Sequence, residues 1–216
     1  MEVHLLTCTP DFLRVIWCAA RTCYSAVPPH LLWAQEVPRE EMLRLANHVL
    51  RAGHLSVAEH CTMTFAVTGV SRALLAQYTR HRIGVSLSVQ SQRHVRAGGS
   101  PENPLFPHVV PPDIEARPEA KEVFYAQLAA AKEAYERLLS LGVKKEDARF
   151  VLPGGAATNF VTTLNLRSLL DVYQKRVLAP GAQWEIKALL NRFAALVVAR
   201  EPWLAPYFPT VAQGAS

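Results

Sequence analysis

The chain has 216 residues, 50% of them hydrophobic, with a formal net charge of +5, which is enough apolar content to build a real core in one domain or at most two. No apolar run approaches the roughly twenty residues needed to span a bilayer, and the first six residues lack the basic start and long apolar stretch of a secretion signal, so the chain reads as a soluble, cytoplasmic protein with no membrane partner. Of the 23 basic residues 17 are arginine, which favours bidentate capture of phosphate or carboxylate and fits phosphorylated substrates better than nucleic acid.

Residues 1–7 alternate enough for a strand, and Thr9-Pro10-Asp11 then offers a cap, a first-turn proline and an early acid for a helix running to about Cys23. Val27-Pro28-Pro29-His30 breaks the chain. Pro38-Arg39-Glu40-Glu41 starts a second helix whose Met42, Leu45, Val49 and Leu50 form an apolar stripe ending near Gly53. Residues 61–67 are rich in β-branched and aromatic side chains and predict a strand, which feeds a helix over 71–80. Past Gly84, Val85, Leu87 and Val89 alternate with Ser86, Ser88 and Gln90, the pattern of an extended segment. Residues 97–112 are rich in glycine and proline and predict a long surface connection. The longest helix is expected over 119–141, stopped at Gly142. A short helix from Lys144, a strand over 159–164 and helices over 167–177 and 183–200 close an α+β fold without strict strand-helix alternation.

Chemistry concentrates in Gln77 to His94. Arg80-His81-Arg82 and, nine residues on, Ser91-Gln92-Arg93 gather more fork-shaped and ring donors than a fold needs unless an anion sits among them. Gln77, Arg80 and His81 fall at i, i+3 and i+4, one face of the expected helix. A solvated basic turn is the bland reading of the same residues. Elsewhere, Gly53-His54-Leu55-Ser56-Val57-Ala58-Glu59-His60 carries two histidines six apart, a spacing that does not suit a metal site, so no metal is expected. Arg149 stands beside an apolar run and needs a counter-charge or a surface outlet. Arg167 and Asp171 are i and i+4 and suit a plain ion pair. Cys8, Cys18, Cys23 and Cys61 show no Cys-x-x-Cys spacing and read as reduced and mostly packed.

The Arg-His-Arg triplet followed by Ser-Gln-Arg closely resembles the signature of the flavin-dependent thymidylate synthases, although the gap here is eight residues where the family usually has seven and His94 stands in place of a tyrosine. The His54 to His60 segment, Arg149-Phe150-Val151-Leu152-Pro153, Asn165-Leu166-Arg167, Arg176 and Ala182-Gln183-Trp184-Glu185 extend the resemblance over most of the chain. Two departures mark the last region: one extra residue between Arg176 and Ala182, and Pro180-Gly181 where the family has a histidine. The resemblance implies one domain over residues 1–216 with a mixed or antiparallel central sheet flanked by helices, of the thymidylate synthase-complementing type.

It further implies reductive methylation of dUMP to dTMP with 5,10-methylenetetrahydrofolate and NADPH as co-substrates and FAD as hydride carrier, in a homotetramer with shared active sites. The residues it assigns to dUMP are Gln77, Tyr78, Thr79, Arg80, Gln90, Ser91, Gln92, Arg93, Arg149 and Arg176. Those it assigns to FAD are His54, Ser56, Arg80, His81, Arg82, Asn165, Arg167 and Asp171, the last at a position usually Asn or His. Arg176 is the one catalytic candidate: a permanently charged guanidinium can stabilise the uracil anion without titrating. Asp171 would make the flavin harder to reduce unless Arg167 neutralises it. No cysteine nucleophile is expected. A relative acting on UMP and a basic nucleic-acid-binding module are the rival readings.

Overall fold

The computed structural model of the chain describes residues 1–99 and 104–212, and for 211–212 the backbone alone. In order, β1 (Glu2–Cys8) leads to α1 (Phe12–Thr22), α2 (Pro29–Ala34) and α3 (Arg39–Arg51). A 3₁₀ stretch, Leu55–His60, precedes β2 (Thr62–Ser71), α4 (Arg72–Tyr78) and β3 (Val85–Val89). Then come α5 (Pro112–Glu115), α6 (Pro118–Ser140), α7 (Lys145–Ala148), β4 (Ala157–Asn165), α8 (Leu166–Tyr173), α9 (Trp184–Arg200) and α10 (Pro209–Ala212). No helix among the described residues is long and apolar enough to cross a membrane.

The four strands form one sheet in the order β1-β2-β4-β3. The cross-strand bonds make every neighbouring pair antiparallel. The Thr9 amide donates to the Thr62 carbonyl while a Cβ on Gly69 would meet Met1. Thr64 pairs with Thr163 and the Gly69 amide with Asn159. Thr162 donates to the Ser86 carbonyl and the Gln90 amide to that of Asn159. In each pair one residue number rises as the other falls, the mark of antiparallel pairing. Met63, Phe65 and Val67 bury one face of β2 at period two, and Gly69, at φ +70, shifts that parity so that Val70 is the next to be buried.

The chain falls into two compact units. The first comprises residues 1–2, 67–80 and 88–161. Its core holds Phe106, Leu128, Ala131 and Ala156, and Tyr78 stacks on Phe160 at 5.4 Å. The second comprises residues 3–66, 81–87 and 162–216. There Phe12, Leu13 and Ile16 of α1 and Leu189, Phe193 and Val197 of α9 are buried, and Phe65 stacks on Phe193 at 4.1 Å.

Several expectations need correction. The cap of α1 is Asp11, which accepts from the Arg14 amide, so Pro10 precedes the helix. Pro28-Pro29 starts α2, because a proline at the first helical position loses no hydrogen bond. Helix α4 ends at Tyr78, so Arg80 and His81 lie beyond it and share no helical face with Gln77. Part of the expected connection over 97–112, residues 100–103, lies outside the described residues. The portion from Phe106 is not a free surface loop: Phe106 is buried, the Pro107 carbonyl accepts from the Ala157 amide, and the Val109 amide donates to Gly155.

Candidate functional site

In the first unit, Ser71 caps α4 by accepting from the Leu74 amide at 2.9 Å, worth about 1 kcal/mol. That cap fixes the direction of Arg72 and Gln77. The helix closes on a turn in which the Thr79 amide donates to Leu75 and the Arg80 amide to Gln77, leaving the Thr79 and Arg80 side chains exposed. Tyr78 is buried.

The segment after β3 is held by both backbone and side chain. The Gln90 amide donates to the Asn159 carbonyl at 2.9 Å, and the Gln90 side-chain oxygen accepts from the Asn159 amide at 3.1 Å. The next residues turn: Ser91 Oγ accepts from the Arg93 amide, and the Ser91 carbonyl from the Val95 amide. Arg93 then reaches Glu146, donating through Nε at 3.0 Å, while Arg149 Nε donates to the Glu146 backbone carbonyl at 2.9 Å. Glu146 on α7 thus gathers two arginines 56 residues apart in sequence. The Arg93–Glu146 pair is largely exposed, at 57% and 38%, and contributes at most about 1 kcal/mol, so an anion of higher charge can displace it.

A cavity of about 400 Å³ opens beside this turn, lined by Arg72, Gln90, Ser91, Gln92 and Asn159 on its polar side and by Phe106, Pro107 and Ala156 on its apolar side. That volume suits a small ligand. Arg72 donates through Nη2 to the Gln90 carbonyl at 3.1 Å, but its Nε is buried with no hydrogen-bond partner. Burial, together with the positive charge of Arg149, holds the Arg72 guanidinium below its ordinary pKa. Leaving a buried donor unmatched costs about 1–3 kcal/mol. Neither Arg72 nor Arg149 forms an ion pair among the described residues.

The second unit is arranged differently. Gly84 sits at φ +63, and a Cβ there would fall 2.3 Å from Ser168 Oγ and 2.6 Å from Asn165 Nδ2. Only glycine fits both the angle and the space. Asn165 caps α8 by accepting from the Ser168 amide at 2.8 Å, its own amide donates to the Gly84 carbonyl, and Ser168 Oγ donates to the Ile83 carbonyl at 2.8 Å. These bonds fasten the chain after Arg82 to the start of α8, and Arg82 remains exposed.

Arg176 lies in a π-helical turn, Gln174–Leu178, which holds one residue more than an α turn would. Its Nε donates to His81 Nε2 at 2.9 Å, so that nitrogen is an acceptor and the imidazole proton of the neutral ring sits on Nδ1. Arg167 pairs with Glu59 of the 3₁₀ stretch, and Asp171 with Lys175 at 2.8 Å, one turn along. The expected neutralisation of Asp171 by Arg167 is therefore replaced by Lys175, because Arg167 finds its carboxylate on another element. His54 and Ser56 are both exposed.

The donor set of the second unit fits a flavin dinucleotide. Arg82 forms no ion pair among the described residues and is free to meet a diphosphate, Arg167 is exposed, and His54, Ser56 and Asn165 offer neutral polar contacts. Among the described residues no three His, Cys, Asp or Glu side chains group as a metal site would need. The four cysteines are unpaired; Cys61 is buried and Cys23 exposed, so packing holds only for some of them. Burial, then the nearby carboxylates of Glu201 and Asp11, pushes the Cys61 thiol up to about 12.

Residues 4–203 match the family model described as thymidylate synthase complementing protein. The chain belongs to that family. It is 39% identical over 197 residues to the flavin-dependent thymidylate synthase of Geobacter sulfurreducens, covering 91% of this chain and 82% of that one. The family fold recurs at low identity. The UMP/dUMP methylase PolB from Streptomyces cacaoi, bound with 5-Br dUMP, superposes with a TM-score of 0.78 at 22% identity, over 97% of this chain and 94% of that one. Thymidylate synthase X from Helicobacter pylori, with FAD and dUMP, gives 0.70 at 24%, over 89% and 91%.

Sequence reasoning missed Arg72, Glu146, Asn159, Glu59 and Lys175. Only Arg72 carried a visible signal, a charge set among Val70, Leu74 and Leu75 eight residues before Arg80. The others are ordinary polar residues whose partners lie far away in sequence or one helical turn along.

Proposed function

We propose that this chain is a flavin-dependent thymidylate synthase that converts dUMP to dTMP. The observation that carries the reading is the meeting of Arg93 and Arg149 at Glu146, next to the Gln90 to Gln92 turn and its cavity. That meeting supports a phosphate clamp, and the family relationship supports the nucleotide. In the overall reaction the methylene of 5,10-methylenetetrahydrofolate passes to C5 of dUMP with loss of the C5 proton, and a hydride completes the methyl group, leaving tetrahydrofolate. FAD, when bound, supplies that hydride after taking one from NADPH.

The chain's own residues orient and neutralise rather than form bonds to substrate. Arg93 exchanges Glu146 for the nucleotide phosphate, and Ser91, Gln92 and Arg149 fix the phosphate's position. Gln77, Thr79, Arg80 and the Tyr78 backbone continue the nucleotide contacts, and Gln90 holds the turn in register. Arg176, oriented by His81, stabilises the negative charge left on uracil when its N3 proton departs. His54, Ser56, His81, Arg82, Asn165, Arg167 and Asp171 hold the flavin.

The same reading includes a single catalytic domain, a cytoplasmic location, no nucleic-acid partner and a homotetramer that shares its active sites. Ile83, Tyr24 and Phe150 are 90%, 86% and 81% exposed, and apolar side chains that open to water support burial in an assembly. The test is the visible spectrum of the purified protein with and without dUMP, followed by turnover with dUMP and UMP. A yellow protein whose flavin bands shift on adding dUMP, and which methylates dUMP in preference to UMP, is expected. A colourless protein that takes up no FAD would sink the reading, and preference for UMP would redirect it.

A further inference from the structure

We propose that Arg72, which stands outside the Arg-His-Arg and Ser-Gln-Arg segments, is a further phosphate-binding residue, forming with Arg149 a two-guanidinium site for the dianionic monophosphate of the nucleotide. This deepens the reading of the first unit as the nucleotide-binding region and rests on it.

Three observations converge. Arg72 faces the cavity shared with Gln90, Ser91 and Gln92, and one arm of its fork is already spent on the Gln90 carbonyl. Its Nε is buried and has nothing to donate to. The start of α4 is also tied to the chain just after Arg149: the Arg72 amide donates to the Ala156 carbonyl and the Ala73 amide to that of Gly154, each at 3.0 Å. This keeps two like charges near each other, and Arg149 depresses the Arg72 guanidinium as burial does.

Two cations held together, with a buried donor unmatched and no carboxylate on either among the described residues, destabilise the protein unless a dianion joins them. A phosphate monoester supplies the charge and the acceptor oxygens in one group. The Nη2 bond to Gln90 serves a second purpose. It sets the turn that carries Ser91 to Arg93 from the same side chain that receives the anion, so anion binding and turn geometry reinforce each other.

The test compares wild type, Arg72→Gln and Arg72→Lys, with dUMP, deoxyuridine and inorganic phosphate as probes, using calorimetric affinity and the melting temperature of the ligand-free protein. Arg72→Gln should weaken dUMP at least tenfold, leave deoxyuridine within about twofold, and melt no lower than wild type because a like-charge repulsion has been removed. Arg72→Lys, which keeps a charge but loses the fork, should fall between. If the Gln variant does not fold, the Lys variant alone must still lose dUMP affinity by several fold while deoxyuridine is unchanged. Equal losses for dUMP and deoxyuridine, or no loss for dUMP, would overturn the proposal and point to a residue that only shapes the turn. Wild type that ignores dUMP yet binds inorganic phosphate through Arg72 would support the anion site and overturn the nucleotide reading.

Discussion

The two units treat their arginines in opposite ways. In the second, the implied flavin-binding region, Arg167 is matched by Glu59 and Arg176 by His81, while Asp171 is matched by Lys175. In the first, the implied nucleotide-binding region, Arg72 and Arg149 have only backbone carbonyls for their polar partners, apart from the Phe150 ring near Arg149 at 5.9 Å. A guanidinium whose charge is already balanced is oriented, and it can act on a ring held beside it. One whose charge is unbalanced remains available to an anion. The boundary between the units falls inside the Arg-His-Arg triplet, between Arg80 and His81, so a single short motif serves both kinds of work.

The largest effect that would sharpen this contrast is at Arg176. Arg176→Gln should keep flavin binding and lower kcat by about 10²–10³, the usual loss when one stabilising donor is removed; an unchanged kcat in steady-state assays would place charge stabilisation elsewhere. Gly84→Ala attacks the internal order of the second unit. Positive φ alone costs about 1–3 kcal/mol, and the contact with Ser168 and Asn165 adds to it, so thermal melting should drop by roughly 5 °C or more. Equal melting curves would show that the Arg82 to Gly84 segment is not fastened to α8.

A smaller change should come from releasing Arg93. Glu146→Gln removes its exposed partner and should tighten dUMP binding by a few fold at low salt, a gain that fades above about 0.5 M salt as charges are screened. Weaker binding on titration would mean that the Glu146 carboxylate positions the arginines for the anion. Asp171→Asn should raise the flavin reduction potential, and the rise should be modest because Lys175 already offsets the carboxylate. A redox titration showing no change or a fall counts against it. Last, replacing all four cysteines by serine should leave turnover intact in a folded, flavin-loaded enzyme. Because the Cys61 thiol is pushed up to about 12, it stays protonated across pH 7–9, so a thiol reagent in that range should label exposed Cys23 and spare Cys61.

Much of the fold was legible because its signals are local. Helix α6 begins at a proline and ends two residues before Gly142, close to the expected span, and the alternation of Val85, Leu87 and Val89 became β3. Helix α2 was missed because a proline pair reads as a break, although the second proline suits a helix start. The helical face expected for Gln77, Arg80 and His81 failed for a related reason: the i, i+3, i+4 spacing permits a helix but cannot enforce another turn where Thr79 and Arg80 are exposed and bury nothing. The partner of Asp171 was misread in the same way, since two basic residues, Arg167 and Lys175, stand one turn to either side and spacing alone does not choose between them.

By itself, the sequence determined the residue chemistry: arginine-rich donor clusters, glycine at position 84, helix and strand periodicities, and a signature specific enough to imply a family. Those properties live in side-chain type and near-neighbour spacing, which the chain carries without folding. Only the tertiary structure decided which charges cancel and which stay unsatisfied. Glu59 takes Arg167 across 108 residues and Glu146 takes Arg93 across 53, while Arg72 is left with a buried, unmatched nitrogen. Electrostatic pairing depends on distance and desolvation in space, and neither is written in the order of the residues.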